Sequence, residues 1–131
     1  MSHDAINLDA ALASFDDLWS PRIVTRVNDY DVRIAKVAGE FVWHAHDDTD
    51  EFFLVLDGEL TIGLRPAAAP ETSVTLHRGD VFVVPRGLQH RPSSAGASIL
   101  MFEPAGTLNT GDHEGEVPDH ITRTIGTALT S

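Results

Sequence analysis

The stretch HAHDDTDEFFLVLDG, residues 44–58, sets His44 and His46 one residue apart and follows them with carboxylates ending at Glu51. Successive side chains of a strand point to opposite faces, so the two imidazoles share a face while Ala45 points away. Glu51 opens an apolar run in which Phe53 and Val55 share its parity. Folded back as a hairpin through residues 47–50, that run would return the carboxylate to the histidine pair. A fourth candidate, His90, follows a bend at Pro85 and Gly87 in GDVFVVPRGLQH. Three neutral imidazoles and one carboxylate suit a divalent Mn, Fe, Co, Ni, Cu or Zn ion, with positions left open if it is octahedral. The chain has no cysteine, which excludes disulfides and thiolate sites and leaves nitrogen and oxygen as the strong donors.

These side chains need strands and turns to hold them. From Ile23 onward, short runs rich in Val, Ile, Leu, Phe and Thr are punctuated by Gly, Pro, Asn and Asp about every ten residues, the texture of an all-β domain. The expected strands are 22–28, 31–38, 41–46, 51–56, 59–65, 73–77, 81–84 and 97–103, enough for a sandwich or jelly-roll barrel. Gly58 is expected to form a tight turn between two of them. Before the barrel, Leu8, Leu12, Phe15, Leu18 and Trp19 recur at helical spacing, so a helix is expected over 7–19 with Asn7 as cap and Ser20-Pro21 as stop. The organisation is then an N-terminal helical extension (1–21), a β-barrel (22–104) and a C-terminal loop or lid (105–131). A last short strand is expected near 121–125.

The order of these residues resembles the cupin superfamily. Its first motif, Gly, His-x-His, Glu, Gly, is matched by Gly39, His44, His46, Glu51 and Gly58. Its second, Gly, Pro-x-Gly, His, Asn, is matched by Gly79, Pro85, Gly87 and His90, with Ser94 in place of the Asn. Gly39 stands one residue closer to His44 than the pattern asks, which a bulge or altered turn would absorb. The resemblance implies a cupin-type double-stranded β-helix with one divalent metal (Fe, Mn, Ni or Zn) on His44, His46, Glu51 and His90, and it implies a homodimer. The tail FEPAGTLNTGD is similar to the ending of small single-domain cupins of undefined activity, the mannose-6-phosphate isomerase-like group.

The resemblance leaves the chemistry open, since cupins include dioxygenases, decarboxylases, isomerases, lyases and binding modules. A metal-dependent enzyme on a small oxygenated metabolite is the first expectation, dioxygenase-type, with Glu51 as its catalytic carboxylate. A non-catalytic sugar- or small-molecule-binding module is the alternative, as is a metal-dependent isomerase or lyase. Phosphosugar isomerisation ranks low because Lys36 is the only lysine and a phosphate clamp is hard to assemble.

With nine Lys plus Arg against twenty Asp plus Glu, the net charge of −11 excludes a basic stripe, so nucleic acid and anionic membrane are poor partners. No apolar run approaches bilayer length, and the acidic N-terminus is unlike a secretory signal; the expectation is a soluble, cytoplasmic protein. Asp47, Asp48 and Asp50 read as a solvated tip, and His3, His77, His113 and His120 as surface residues. Phe41, Trp43, Phe52, Phe53, Phe82, Met101 and Phe102 read first as core. Glu103 fits a pocket carboxylate or a surface cap equally, and Arg33 and Arg65 cannot be placed inside or outside by parity alone; Arg91, beside His90, is expected to point away from it.

Overall fold

Inward-facing positions change parity within the two longest strands, and this bends them around a core. In a computed structural model, which describes residues 4–129, β3 (Glu51–Arg65) buries Glu51, Phe53 and Val55, then Leu60 and Ile62. Strand β6 (Gln89–Pro104) buries His90 and Pro92, then Ile99, Met101 and Glu103. One extra residue in a strand turns every later side chain to the other face. β3 carries its extra residue between Val55 and Asp57, and β6 carries one between Ser93 and Gly96. His3 lies outside the described residues.

Around this pair the remaining strands are β1 (Arg22–Val27), β2 (Tyr30–Glu40), β4 (Thr72–His77), β5 (Val81–Val84) and β7 (Thr127–Ala128). The sheet order is β4-β3-β6-β2-β1-β7, with β5 on the first half of β3 and β4 on its second half. All pairings are antiparallel except β1 with β7. The result is a jelly-roll β fold. Its inner core gathers Val37, Phe53, Val55, Leu60, Ile62 and Ile99, joined by Trp19, Phe41 and Ile121 from the connecting segments. Phe41, Phe53 and Met101 are buried as expected, whereas Trp43, Phe52, Phe82 and Phe102 are half-buried.

Four expectations need correction. The helix is only α1 (Leu8–Leu12), capped by Asn7 Oδ1 on the Ala10 amide at 2.9 Å. The apolar spacing beyond it serves two different surfaces. Leu12 and Phe15 pack with Ile34 on the outside of the sheet, while Trp19 turns inward at φ 53° and donates from Nε1 to Ala38 O. Residues 41–46 form no strand; they run beside the start of β6, tied by Phe41 N to Pro92 O and a reciprocal His44–His90 pair.

Residues 51–65 form one strand, not two. Gly58 has the positive φ a turn would need, 80°, but it lies at the bulged crossing with β6, where a Cβ would stand 2.2 Å from Gly96 O. The last short strand falls at 127–128, where Thr127 and Leu129 amides donate to Pro21 and Ile23 carbonyls. Gly39 stands at a register shift between β2 and β6, which absorbs its irregular spacing from His44. Among the described residues, no helix is long and apolar enough to cross a membrane.

Candidate metal centre

His44 and His46 converge although the 41–46 segment is no strand: their ring centroids lie 5.0 Å apart and both are buried. The main chain pairs His44 with His90 through N–H to O contacts of 3.1 and 2.8 Å, so the two rings lie 4.2 Å apart between centroids. Glu51 reaches them from the first inward position of β3. It does not arrive by the hairpin expected from the sequence, because β3 pairs with β5 and β6 and not with residues 41–46. The barrel wall, not a local turn, closes the cluster.

One donor atom from each of His44, His46, Glu51 and His90 lies within 4.8 Å of the others. The Nδ1 of His44 is 2.9 Å from Val42 O and that of His90 is 2.8 Å from Leu88 O. A carbonyl can only accept, so each Nδ1 carries the proton and each Nε2 turns a lone pair inward. All three Nε2 atoms are buried, and those of His44 and His90 have no hydrogen-bond partner. His46 Nε2 stands 2.5 Å from Glu51 Oε2, and His90 Nε2 3.9 Å from Glu51 Oε1. Two orphaned lone pairs, with the His46 nitrogen and one carboxylate beside them, match the donor set of a divalent transition ion.

Electrostatics prepare the same arrangement. Burial, reinforced by His90, pushes the His44 pKa down to about 4, so its ring is neutral at neutral pH. Burial also opposes charge on His46, but hydrogen bonding and attraction from Glu51 outweigh it and raise its pKa. Burial works against the Glu51 carboxylate too, yet the surrounding imidazoles hold its pKa well below the usual range.

A small cavity opens beside the cluster, walled by Trp19, Phe41, Phe53, Ile99 and Met101, with His44, Glu51, Glu103 and Asn109 as polar lining. Glu103 is therefore a buried pocket carboxylate and not a surface cap. Its Oε1 accepts from Arg33 Nη1 at 2.9 Å, and Arg33 also grips Asp31 Oδ2 through Nε and Nη2. Burial and then the charge of Glu51 push the Glu103 pKa well up, against the pull of Arg33. Arg33 and Asp31 share the parity of Ala35 and Val37, and that alternation was the available signal for their inward placement.

The segment after β6 supplies braces that sequence reasoning did not single out. Asp112 Oδ1 accepts from the Ala45 amide at 2.7 Å, and its Oδ2 from Gln89 Nε2 at 3.0 Å. Gly111, at φ 52°, passes so close that a Cβ would meet Ala45 O at 2.3 Å. Asp47, Asp48 and Asp50 are exposed, with Asp50 accepting from the Arg86 amide. His77 and His120 are exposed; His113 is half-buried, its ring against Trp43 O. Arg91 points away from the cluster, pairing with Glu40 and stacking on Trp43, while Arg65 lies over the same indole at 3.8 Å.

Comparisons agree with this architecture. A cupin domain profile matches residues 30–103. A Bacillus subtilis (strain 168) protein, the uncharacterized YdbB, is 44% identical over 71 residues, covering 54% of this chain and 59% of its own. The chain thus spans less than two thirds of that relative's length. A cupin-2 domain containing protein from Shewanella frigidimarina superposes with a TM-score of 0.71 at 40% identity, over 76% of this chain and 94% of that one. Hydroquinone 1,2-dioxygenase from Sphingomonas sp. TTNP3, solved with 4-hydroxybenzoate bound, superposes at 0.70 with 26% identity over 77% of this chain and 32% of that one. The fold, the two histidine-bearing motifs and the profile match lead to one conclusion: the chain belongs to the cupin domain family.

Proposed function

We propose that the chain holds one divalent transition ion on His44, His46, Glu51 and His90 and works as a metal-dependent enzyme on a small oxygenated metabolite, with dioxygenase-type chemistry favoured. The observation that carries this reading is the set of three buried Nε2 atoms converging on the Glu51 carboxylate, those of His44 and His90 unpartnered. An ion bound there supplies Lewis acidity and, as iron, redox chemistry with oxygen. The likeness to hydroquinone 1,2-dioxygenase supports the oxygen-dependent choice over an isomerase or lyase.

The chain's own residues then have distinct tasks. Backbone carbonyls of Val42 and Leu88 fix the His44 and His90 rings, so the donors are set before any ion arrives. Phe41, Phe53 and Met101 exclude water from the cavity, and Glu51 is the catalytic carboxylate beside it. The test is oxygen uptake by Fe(II)-loaded protein offered diols, enols, catechols and keto acids. At least one compound should be consumed with oxygen, and Glu51→Ala should abolish turnover while the circular dichroism spectrum is retained. Tight binding without conversion would assign a binding module; equal conversion without oxygen would assign an isomerase or lyase.

A homodimer is part of the same proposal. Among the described residues, β5 is paired on one side only, with β3, and its Val81 and Val83 are 58% and 47% exposed. A second copy would cover this apolar edge. Light scattering should give twice the chain mass of 14.2 kDa; a monomer mass across a wide concentration range would refute it.

A further inference from the structure

The register that sets Phe52 of β3 opposite Phe102 of β6 continues by one position to set Glu51 beside Glu103. Glu103 is 2% exposed, and its two oxygens differ sharply. Oε1 is held by Arg33, whereas Oε2 is buried with only the neighbouring Glu51 carboxylate to pair with. Four of the five Arg33 N–H donors are engaged elsewhere, and none bonds this oxygen. Nε and Nη2 are engaged on Asp31, and Nη1 is shared between Glu103 Oε1 and Thr107 O, each at 2.9 Å.

Glu51 is itself a candidate metal ligand, and with its carboxylate turned to an ion Oε2 would be left buried and unpaired, a cost in stability that points to a partner from outside the chain. Glu103, Glu51 and His44 line one cavity whose other walls are mainly apolar, so this oxygen and the candidate metal ligands border the same space. The space is small, so it suits a compact guest.

We propose that Glu103 is a ligand-binding residue that hydrogen-bonds a hydroxyl of the bound molecule, selecting compact compounds that carry a chelating oxygen pair and one further hydroxyl. This rests on the reading that His44, His46, Glu51 and His90 hold a divalent ion, which takes the oxygen pair. A hydroxyl both donates and accepts, so it pairs with the carboxyl in either protonation state. Arg33 and Asp31 keep the carboxyl in place; the apolar wall receives the carbon skeleton.

Glycerate and lactate separate this idea from metal binding alone. Both present the same α-hydroxycarboxylate to a metal, and they differ only in the hydroxyl on the third carbon of glycerate. Their dissociation constants are to be measured by calorimetry on the Mn(II)-loaded full chain, and the lactate-to-glycerate ratio divided by that on free Mn(II). The normalised preference for glycerate should be about tenfold or more, the worth of a hydrogen bond to a buried carboxyl. In Glu103→Leu it should fall to one with Mn(II) stoichiometry unchanged.

A wild-type ratio near one, or no binding of either compound, overturns the proposal whatever the variants do. A preference that survives in Glu103→Leu overturns it as well. Should that variant fail to fold, Glu103→Met, which keeps the length and approximate volume but offers the hydroxyl no oxygen or N–H, must narrow the preference at least threefold. Mn(II) uptake without discrimination defeats the role of Glu103 alone, whereas failure of the wild type to take up Mn(II) defeats the metal site with it.

Discussion

Asp112 and Ala45 are joined twice: the Ala45 amide donates to Asp112 Oδ1 at 2.7 Å, and the Asp112 amide donates to Ala45 O at 3.0 Å. Ala45 is the residue between His44 and His46, and the second oxygen of Asp112 holds Gln89, the neighbour of His90. One carboxylate therefore braces both histidine-bearing segments. Groups that orient metal ligands typically contribute 10–100-fold to affinity. Asp112→Ala should weaken Mn(II) or Zn(II) binding by about tenfold in chelator competition. Asp112→Asn, which keeps an acceptor for Ala45, should recover most of it. A purely structural role would instead lower the urea midpoint and leave the affinity of the folded protein unchanged.

Arg33 is the centre of the buried charge cluster, fully enclosed between Asp31 and Glu103. Removing one partner of such a set strands the others, a loss of about 3–5 kcal/mol. Arg33→Ala should therefore lower the unfolding free energy by that amount in metal-free protein, measured by urea denaturation. Asp31 keeps Arg26 as a second partner, whose side chain is 61% exposed and screened by solvent. Arg26→Ala should cost less than 1 kcal/mol.

Gly58 predicts a third outcome. Its φ of 80° disfavours a side chain, and the Gly96 carbonyl 2.2 Å from an added Cβ is main chain that cannot swing aside. Gly58→Ala should destabilise the protein by about 2 kcal/mol or more, combining backbone strain and overpacking. The affinity for metal should change little, since Gly58 lies in the exposed middle of β3, away from Glu51 at its start. Thermal unfolding and chelator competition on the same sample check both statements.

The same glycine marks where local alternation ceases to determine the fold. Alternation identified the strands and put His44 and His46 on one face, because that rule is local. A reversal of parity inside one strand looks locally like a turn between two, so alternation alone divides 51–65 into a pair of strands at Gly58. The cluster of His44, His46, Glu51 and His90 was legible from parity and motif order, though the route by which Glu51 arrives was not. That route depends on pairing with β5 and β6, far along the chain. Arg33 was ambiguous because a charged residue is normally outside; its partner Glu103 lies seventy positions away. Asp112 gave no signal at all, being an exposed acidic residue whose importance comes only from what it touches.

Acid should weaken metal uptake through one histidine more than another. His44, with its pKa pushed down to about 4 by burial and by His90, is already neutral over the working range and presents a lone pair without losing a proton. His46 differs, because Glu51 overcomes the effect of burial and raises its pKa above 6.5. An incoming ion must displace that proton. Below the His46 pKa, apparent affinity should fall about tenfold per pH unit, and above it the dependence should level off.

In metal-free protein the two rings act in opposite senses. The contribution of His46 to stability is complete below the unfolded value near 6.5 and is lost as pH rises through its folded value. That of His44 is complete above 6.5 and is lost as pH falls towards about 4. Binding of an ion replaces the proton on His46, so the stabilisation conferred by metal should grow from pH 5 to pH 8. Thermal midpoints of Mn(II)-loaded and metal-free protein, at fixed metal concentration, check this. A difference that is the same at both pH values would mean that the ion is not held by these imidazoles.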